Sequence, residues 1–204
     1  MILDVNWQTA LAAILLGYAL GSIPFGLLFS LAAGAGDVRK VGSGNIGATN
    51  VLRTGKRWAA AATLLCDAGK GFASVLIARH YLGSAPAMLA AASSFAGHLF
   101  PVWIGFKGGK GVATFLGIMF ALSPIAGAGV ALSWVAAASI WRISSLSALI
   151  SAALAPLYLL MLYQPDFAIL AAVLAIAIFI MHRANIVRLV AGTEPRIGAL
   201  STHS

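Results

Sequence analysis

Residues 112–141 read VATFLGIMFALSPIAGAGVALSWVAAASIW, without a charged side chain. As one helix this stretch would extend about 45 Å, against a bilayer hydrocarbon core of roughly 30 Å. Pro124, preceded by Ser123, stands near its middle. Proline removes a backbone donor and turns the residue before it away from helical geometry. The stretch is therefore expected to form two shortish helices, 112–122 and 124–141, and this split decides the topology of the whole chain.

The same apolar character recurs on either side. Of 204 residues, 61% are hydrophobic and 9% charged, and the mean hydropathy is +0.96. Such a composition excludes an ordinary soluble domain. The runs are long, rich in Ala and Leu, and show no period-2 alternation, so a barrel is excluded in favour of an all-α, polytopic integral membrane helical bundle. Further spans are expected at about 8–34, 58–79, 86–106, 147–163 and 167–181, each long enough for a crossing or nearly so. The first should kink, because Gly21, Pro24 and Gly26 interrupt it. The reading is one membrane domain, 1–204, with seven transmembrane helices and a short loose cytoplasmic tail at 196–204.

Charge supports the count of seven. With the N-terminus outside, the inner segments are 35–57, 107–111, 142–146 and 182–204. They hold Arg39, Lys40, Arg53, Lys56, Arg57, Lys107, Lys110, Arg142, Arg183, Arg188 and Arg196, leaving only Lys70 and Arg79 of the 13 Lys and Arg residues elsewhere. Asp4 and Asp166 fall outside. Six spans would send the tail, with three arginines, to the wrong side. The N-terminus is thus expected in the periplasm and the C-terminus in the cytoplasm. The net charge of +8 lies between spans and not on a soluble basic face, so nucleic acid is not an expected partner. The single cysteine, Cys66, excludes an internal disulfide and is expected to be buried filler; no metal site and no cofactor are expected. No Lys or Arg precedes the first apolar stretch, so no cleaved signal peptide is expected.

Three polar segments carry chemistry. In the first, Gly42, Gly44 and Gly47 free the backbone to approach a ligand. Ser43, Asn45, Thr49 and Asn50 add hydrogen-bonding groups, and Arg53 can fork onto a phosphate. An ordinary loop, with Thr49 or Asn50 capping the next helix, is the plainer alternative. In the second, Lys107 and Lys110 flank Gly108 and Gly109 just before the next helix, whose N-terminus would add free N–H groups. Two positive-inside anchors would need no bare backbone beside them. In the third, His182, Asn185 and Arg188 share a helical face, with Glu194 following. A snorkelling basic helix end is the alternative there, but the topology puts all three segments on one membrane face. Within the second span, Asp67 and Lys70 would each cost about 2.5–3.5 kcal/mol unpaired, so they are expected to pair inside the bundle. Ser22 is expected to bond its own helix, and His80 and His203 to face solvent.

The stretches GSGNIGATNVLRTGK (42–56), GHLFPVWIGFKGGKGVATFLG (97–117), HRANIVRLVAGTE (182–194) and DAGKG (67–71) together resemble the bacterial acyl-phosphate:glycerol-3-phosphate acyltransferase family, commonly called PlsY. The resemblance spans essentially the whole chain. It implies acyl transfer from acyl phosphate to the sn-1 hydroxyl of glycerol 3-phosphate, giving lysophosphatidic acid and phosphate in phospholipid biosynthesis. It also implies a cytoplasm-facing site in the bacterial inner membrane, no requirement for acyl-CoA or acyl carrier protein, and the soluble enzyme that makes acyl phosphate as a candidate partner. By position it makes Ser43, Arg53, Lys110, His182 and Asn185 catalytic. Gly42, Gly44, Asn45, Gly47, Thr49, Asn50, Lys107, Gly108, Gly109 and Arg188 become substrate-binding, and Ser22, Asp67, Lys70 and Glu194 supporting.

The usual acyltransferase histidine followed five residues later by aspartate is absent: Ala85, Trp103 and Val187 stand at that distance from His80, His98 and His182. A mixed anhydride needs no strong protein nucleophile, however. Lys110 and Arg53 would neutralise phosphate, Asn185 or Ser43 would steady the oxyanion, and either the bound phosphate or His182 would take the proton. The competing reading is a transporter of an organic phosphate, which would favour a midplane site on broken helices and internal repeats. A lipid-binding scaffold is the third, and it would tolerate Lys110→Ala.

Overall fold

The computed structural model describes residues 5–198. Asp4, His203 and residues 199–204 of the expected tail lie outside the described residues. Those described form ten α-helices and two single 3₁₀ turns, with no strand among them. Packing resolves two compact units, Met1–Ala121 and Leu122–Ser204, with the boundary next to the Ser123–Pro124 break.

The first unit begins with α1 (Trp7–Gly21) and α2 (Phe25–Ala32). The expected kink is a full break at residues 22–24. Pro24 has no N–H to continue the helix, and the Ile23 carbonyl is left for other donors. Then follow α3 (Ala48–Leu52), α4 (Arg57–Leu82), α5 (Ser84–Leu99) and α6 (Val112–Leu122). The close approach of α1 to α5 comes from small residues at the interface. A Cβ on Gly17 would overlap the backbone of Ala90, and one on Gly21 the backbone of Ser94. Two glycines four residues apart let helices meet backbone to backbone, a device suited to lipid, where apolar burial alone drives little association.

The second unit holds α7 (Pro124–Trp141), α8 (Ser144–Met161), α9 (Pro165–Met181) and α10 (Arg183–Val190). Pro124 and Pro165 each occupy the first helical turn, where a missing N–H costs nothing. Ser123 is extended (φ −151°, ψ 103°), so the expected division of 112–141 is present. Tyr158 of α8 packs on Gly129 of α7, and its hydroxyl lies 2.6 Å from Ser133 Oγ. The tail is tied at its start, since the Ile197 N–H donates to the Arg142 carbonyl at 2.6 Å.

Several boundaries differ from the sequence reading. The third span is helical only to Leu99, because Pro101 forces Phe100 out of the helix and a 3₁₀ turn, Val102–Ile104, follows. The second runs further than expected, to Leu82. Cys66 is half-buried rather than enclosed. His80 is exposed, as expected.

Five spans among the described residues are long and apolar enough to cross a membrane, Trp7–Ala32 counting as one, or six if α9 and α10, bent by 65°, are taken together. The helix α6 has 11 residues, about 17 Å of rise. Outward-facing Leu15, Leu65, Leu132 and Ile169 are each more than 60% exposed, as side chains bathed in lipid would be.

Candidate active site

In the first unit, the 42–53 segment is built by alternation. Val38, Ile46 and Val51 are buried in a cluster with Leu27, Ala59 and Ala60, and so anchor the loop from beneath. Ser43 and Thr49 are left exposed and Arg53 half-exposed. Asn50 is the knot. It is 3% exposed; its Nδ2 donates to the carbonyls of Val38 (2.9 Å), Val41 (2.9 Å) and Asn45 (2.8 Å), and its Oδ1 accepts from the Ser43 N–H at 3.1 Å. Asn45 likewise turns inward, its Oδ1 accepting from the Gly47 N–H at 2.8 Å. Both asparagines therefore shape the loop with the groups that the sequence reading offered to a ligand. Thr49 and Asn50 lie within α3, and Gly47 occupies the cap position.

Gly42 adopts φ +53°, and the Arg53 side chain crosses it. A Cβ there would lie 3.0 Å from Arg53 Cδ and Nη1 and 2.7 Å from Asn50 Oδ1. The missing side chain thus gives Arg53 its resting place. Arg39 has another task. It grips Asp37 with Nε at 2.9 Å and Nη2 at 2.8 Å. The Arg39 side chain and backbone N–H together hold the Asp37 carboxyl down at about 2. Arg39 is therefore already matched by an anion.

The glycine turn before α6 behaves in the same way. The Gly109 N–H donates to His98 O and the Gly108 N–H to Leu99 O, each at 3.0 Å, closing the free carbonyls at the end of α5. These two N–H groups serve the fold. Lys110 follows, half-exposed, with Lys107 exposed on the other flank. Gly111 stands immediately before Val112, which opens α6.

Beneath the turn, Lys70 Nζ lies 2.8 Å from Asp67 Oδ1, donates to the Ile23 carbonyl at 2.9 Å, and sits 5.7 Å from the Phe25 ring centroid. The expected pairing is present, and Lys70 also satisfies the carbonyl freed at the α1–α2 break. Ser22 bonds its own helix (Ala19 O, 3.0 Å) as expected and accepts from Trp103 Nε1 at 2.9 Å. Tyr18 Oη donates to Phe100 O at 2.8 Å. The Tyr18 and Trp103 bonds tie the segment after α5 to α1, and the sequence reading assigned neither residue a role.

In the second unit, Glu194 is the centre. Its side chain is 5% exposed and accepts from Ser145 Oγ (2.7 Å), Asn185 Nδ2 (2.5 Å) and Arg188 Nε (2.6 Å). Burial pushes its carboxyl upward, but the hydrogen bonds from Asn185, Ser145 and Arg188, with the charge of Arg188, outweigh that and hold it below the usual range. A carboxylate only accepts, so the Asn185 amide must turn its nitrogen to Glu194 and its oxygen the other way. His182, 3% exposed, sets Nδ1 at 2.9 Å from Ile178 O. A carbonyl also only accepts, so Nδ1 carries a proton. Ser145 has no signal in the sequence, lying 49 residues from Glu194.

A family model described as Glycerol-3-phosphate acyltransferase matches residues 11–192. A glycerol-3-phosphate acyltransferase of Cereibacter sphaeroides (strain ATCC 17025) is 60% identical over 90% of this chain and 87% of its own length. One of Methylorubrum extorquens (strain PA1) is 55% identical over 97% of both chains. The crystal structure of PlsY (YgiH), an integral membrane glycerol 3-phosphate acyltransferase, in its glycerol 3-phosphate form superposes with a TM-score of 0.88 at 39% identity, covering 93% of this chain and 96% of that one. With matches of this extent to a helical chain of apolar spans, the protein belongs to the glycerol-3-phosphate acyltransferase family and is an integral membrane protein.

Proposed function

We propose that this chain transfers an acyl group from acyl phosphate to the sn-1 hydroxyl of glycerol 3-phosphate, releasing lysophosphatidic acid and inorganic phosphate. The observation that carries this reading is the pair of cationic segments in the first unit, Arg53 laid across bare Gly42 and Lys110 after the glycine turn, in a chain of this family. Arg53 and Lys110 neutralise substrate phosphate, with Ser43, Thr49 and Lys107 as further contacts; Arg188 is taken up by Glu194. Gly42, Gly44, Gly47, Gly108, Gly109, Asn45 and Asn50 contribute by shaping those segments.

In the reaction the acceptor hydroxyl oxygen attacks the acyl carbon, a new ester bond forms, and the acyl–phosphate oxygen bond breaks with its electron pair leaving on phosphate. The hydroxyl proton goes to a phosphate oxygen or to Nε2 of His182. His182→Gln separates these routes: a loss of roughly 10²–10⁴ in kcat marks histidine as the base, and near-normal turnover marks phosphate. Asn185, held by Glu194, supplies the side-chain amide for the developing oxyanion. The remaining supporting residues, Ser22, Asp67, Lys70 and Glu194, hold these elements in place.

The proposed topology has seven crossings, N-terminus periplasmic and C-terminus cytoplasmic in the inner membrane, with α6 as a short crossing in a locally thinned bilayer. The positive-inside distribution supports it. The deciding experiment incubates purified protein with glycerol 3-phosphate and either acyl phosphate or acyl-CoA. Phosphate release that depends on glycerol 3-phosphate is expected with the first donor and no product with the second. Movement of glycerol 3-phosphate across vesicles without acyl transfer would establish the transporter instead.

A further inference from the structure

Asp67, Lys70 and His98 are the buried ionisable groups of the first unit to which the reaction above gives no chemical step; none is more than 5% exposed. His98 Nδ1 stands 3.6 Å from Asp67 Oδ1, beyond hydrogen-bond length but close enough for the ring edge to rest against the carboxylate. Lys70, on the same carboxylate oxygen and on the Ile23 carbonyl, keeps Asp67 from swinging away. The opposite edge of the imidazole faces the glycine turn. A Cβ on Gly109 would overlap Nε2, Cε1 and Cδ2 of His98, and one on Gly108 would overlap the carbonyl oxygens of His98 and Leu99. The turn therefore lies flat on the end of α5, and the His98 ring is part of the surface beneath it.

We propose that His98 is a positioning residue for Lys110: its imidazole, braced by Asp67 on one edge and covered by Gly109 on the other, fixes the turn that presents the Lys110 ammonium to substrate phosphate. The proposal rests on the reading of Lys110 as an anion-binding cation. Lys110 is the next residue after Gly109, so a displacement of the turn carries the Lys110 backbone with it. A misplacement of about 1 Å at a site of this kind costs on the order of 10²-fold in rate. Removing the ring lets the turn sink by a comparable distance.

The test is a double-mutant cycle on the purified full-length protein, read as kcat/KM for glycerol 3-phosphate with acyl phosphate as donor. His98→Ala is expected to lower kcat/KM by about 10- to 100-fold. In a Lys110→Ala background the same change should add little, because the group being positioned is gone. His98→Gln, whose amide reaches the place of Nε2, should retain most of the activity. If Lys110→Ala is too slow to measure, Lys110→Arg, with a displaced charge, closes the cycle; if His98→Ala does not fold, His98→Asn replaces it. Losses that simply add, or a His98→Ala enzyme as active as wild type, overturn the positioning role. Lys110→Ala with undiminished activity overturns the underlying reading of the site instead.

Discussion

Gly42→Ala separates backbone strain from loss of the phosphate clamp. The residue sits at φ +53°, where a side chain costs about 1–2 kcal/mol. Its new methyl group would also press on Asn50 Oδ1 at 2.7 Å and on Arg53 Cδ and Nη1 at 3.0 Å. Asn50 cannot yield, because its amide holds the carbonyls of Val38, Val41 and Asn45. The methyl group is therefore pressed away from Asn50 toward Arg53, whose long side chain gives way and loses its place over the loop. A charge-assisted contact is worth about 1.5–3 kcal/mol, so kcat/KM for glycerol 3-phosphate should fall roughly 10- to 150-fold. Gly36→Ala is the control. Gly36 has φ +72° and open space where its Cβ would stand, so it suffers the backbone penalty alone. Both variants should melt at lower temperature in detergent, but only Gly42→Ala should lose catalytic efficiency per folded molecule. Equal kinetic losses in the two, or an unchanged kcat/KM in Gly42→Ala, would refute the role given to Arg53.

Asn50→Ala should destabilise the loop by on the order of 3 kcal/mol through unmet backbone groups, read as faster proteolysis between residues 38 and 53. Asn50→Asp should be at least as damaging, since its carboxylate would face three carbonyl oxygens. Lys70→Met leaves Asp67 buried beside no lysine and should cost about 3–5 kcal/mol, whereas Asp67→Asn with Lys70→Met should recover most of the thermal stability. Glu194, whose carboxyl is held below its ordinary value of 4.5, contributes stability fully above that pH and loses it as pH falls through the lower folded-state value. Wild type should therefore show a larger acid-induced drop in melting temperature than Glu194→Gln, the variant being less stable at neutral pH.

How much of this was legible follows from the range of each interaction. The break at Pro124 was, because proline acts on its own neighbours, and so was the Asp67–Lys70 pair, one helical turn apart. The first span's kink was visible in Pro24, but not that Lys70, 47 residues on, would meet its freed carbonyl. The glycines were recognised as bare backbone, but the surfaces they lie against were not visible. Gly108 and Gly109 turn their N–H groups to the end of α5, and Gly42 makes room for a side chain, because composition does not show which surface a glycine lies against. Asn45 and Asn50 were read as ligand groups, and their bonds within the loop required the fold to be seen. Glu194 was read as support, but its gathering of Ser145, Asn185 and Arg188 required the fold.

Lys70 and Asp67 also bear on how such a chain is made. They lie on one helix and enter the bilayer together as a neutral couple, which lowers the barrier to passing either charge into hydrocarbon. The Ile23 carbonyl that receives the lysine leaves the ribosome before the lysine does. The carbonyl that forms the berth of the ammonium is thus made 47 residues ahead of it. Biosynthetic order and charge neutralisation thus run in the same direction, and transplanting the α1–α2 segment to the carboxyl end would strand the lysine during insertion even though every final contact could be restored.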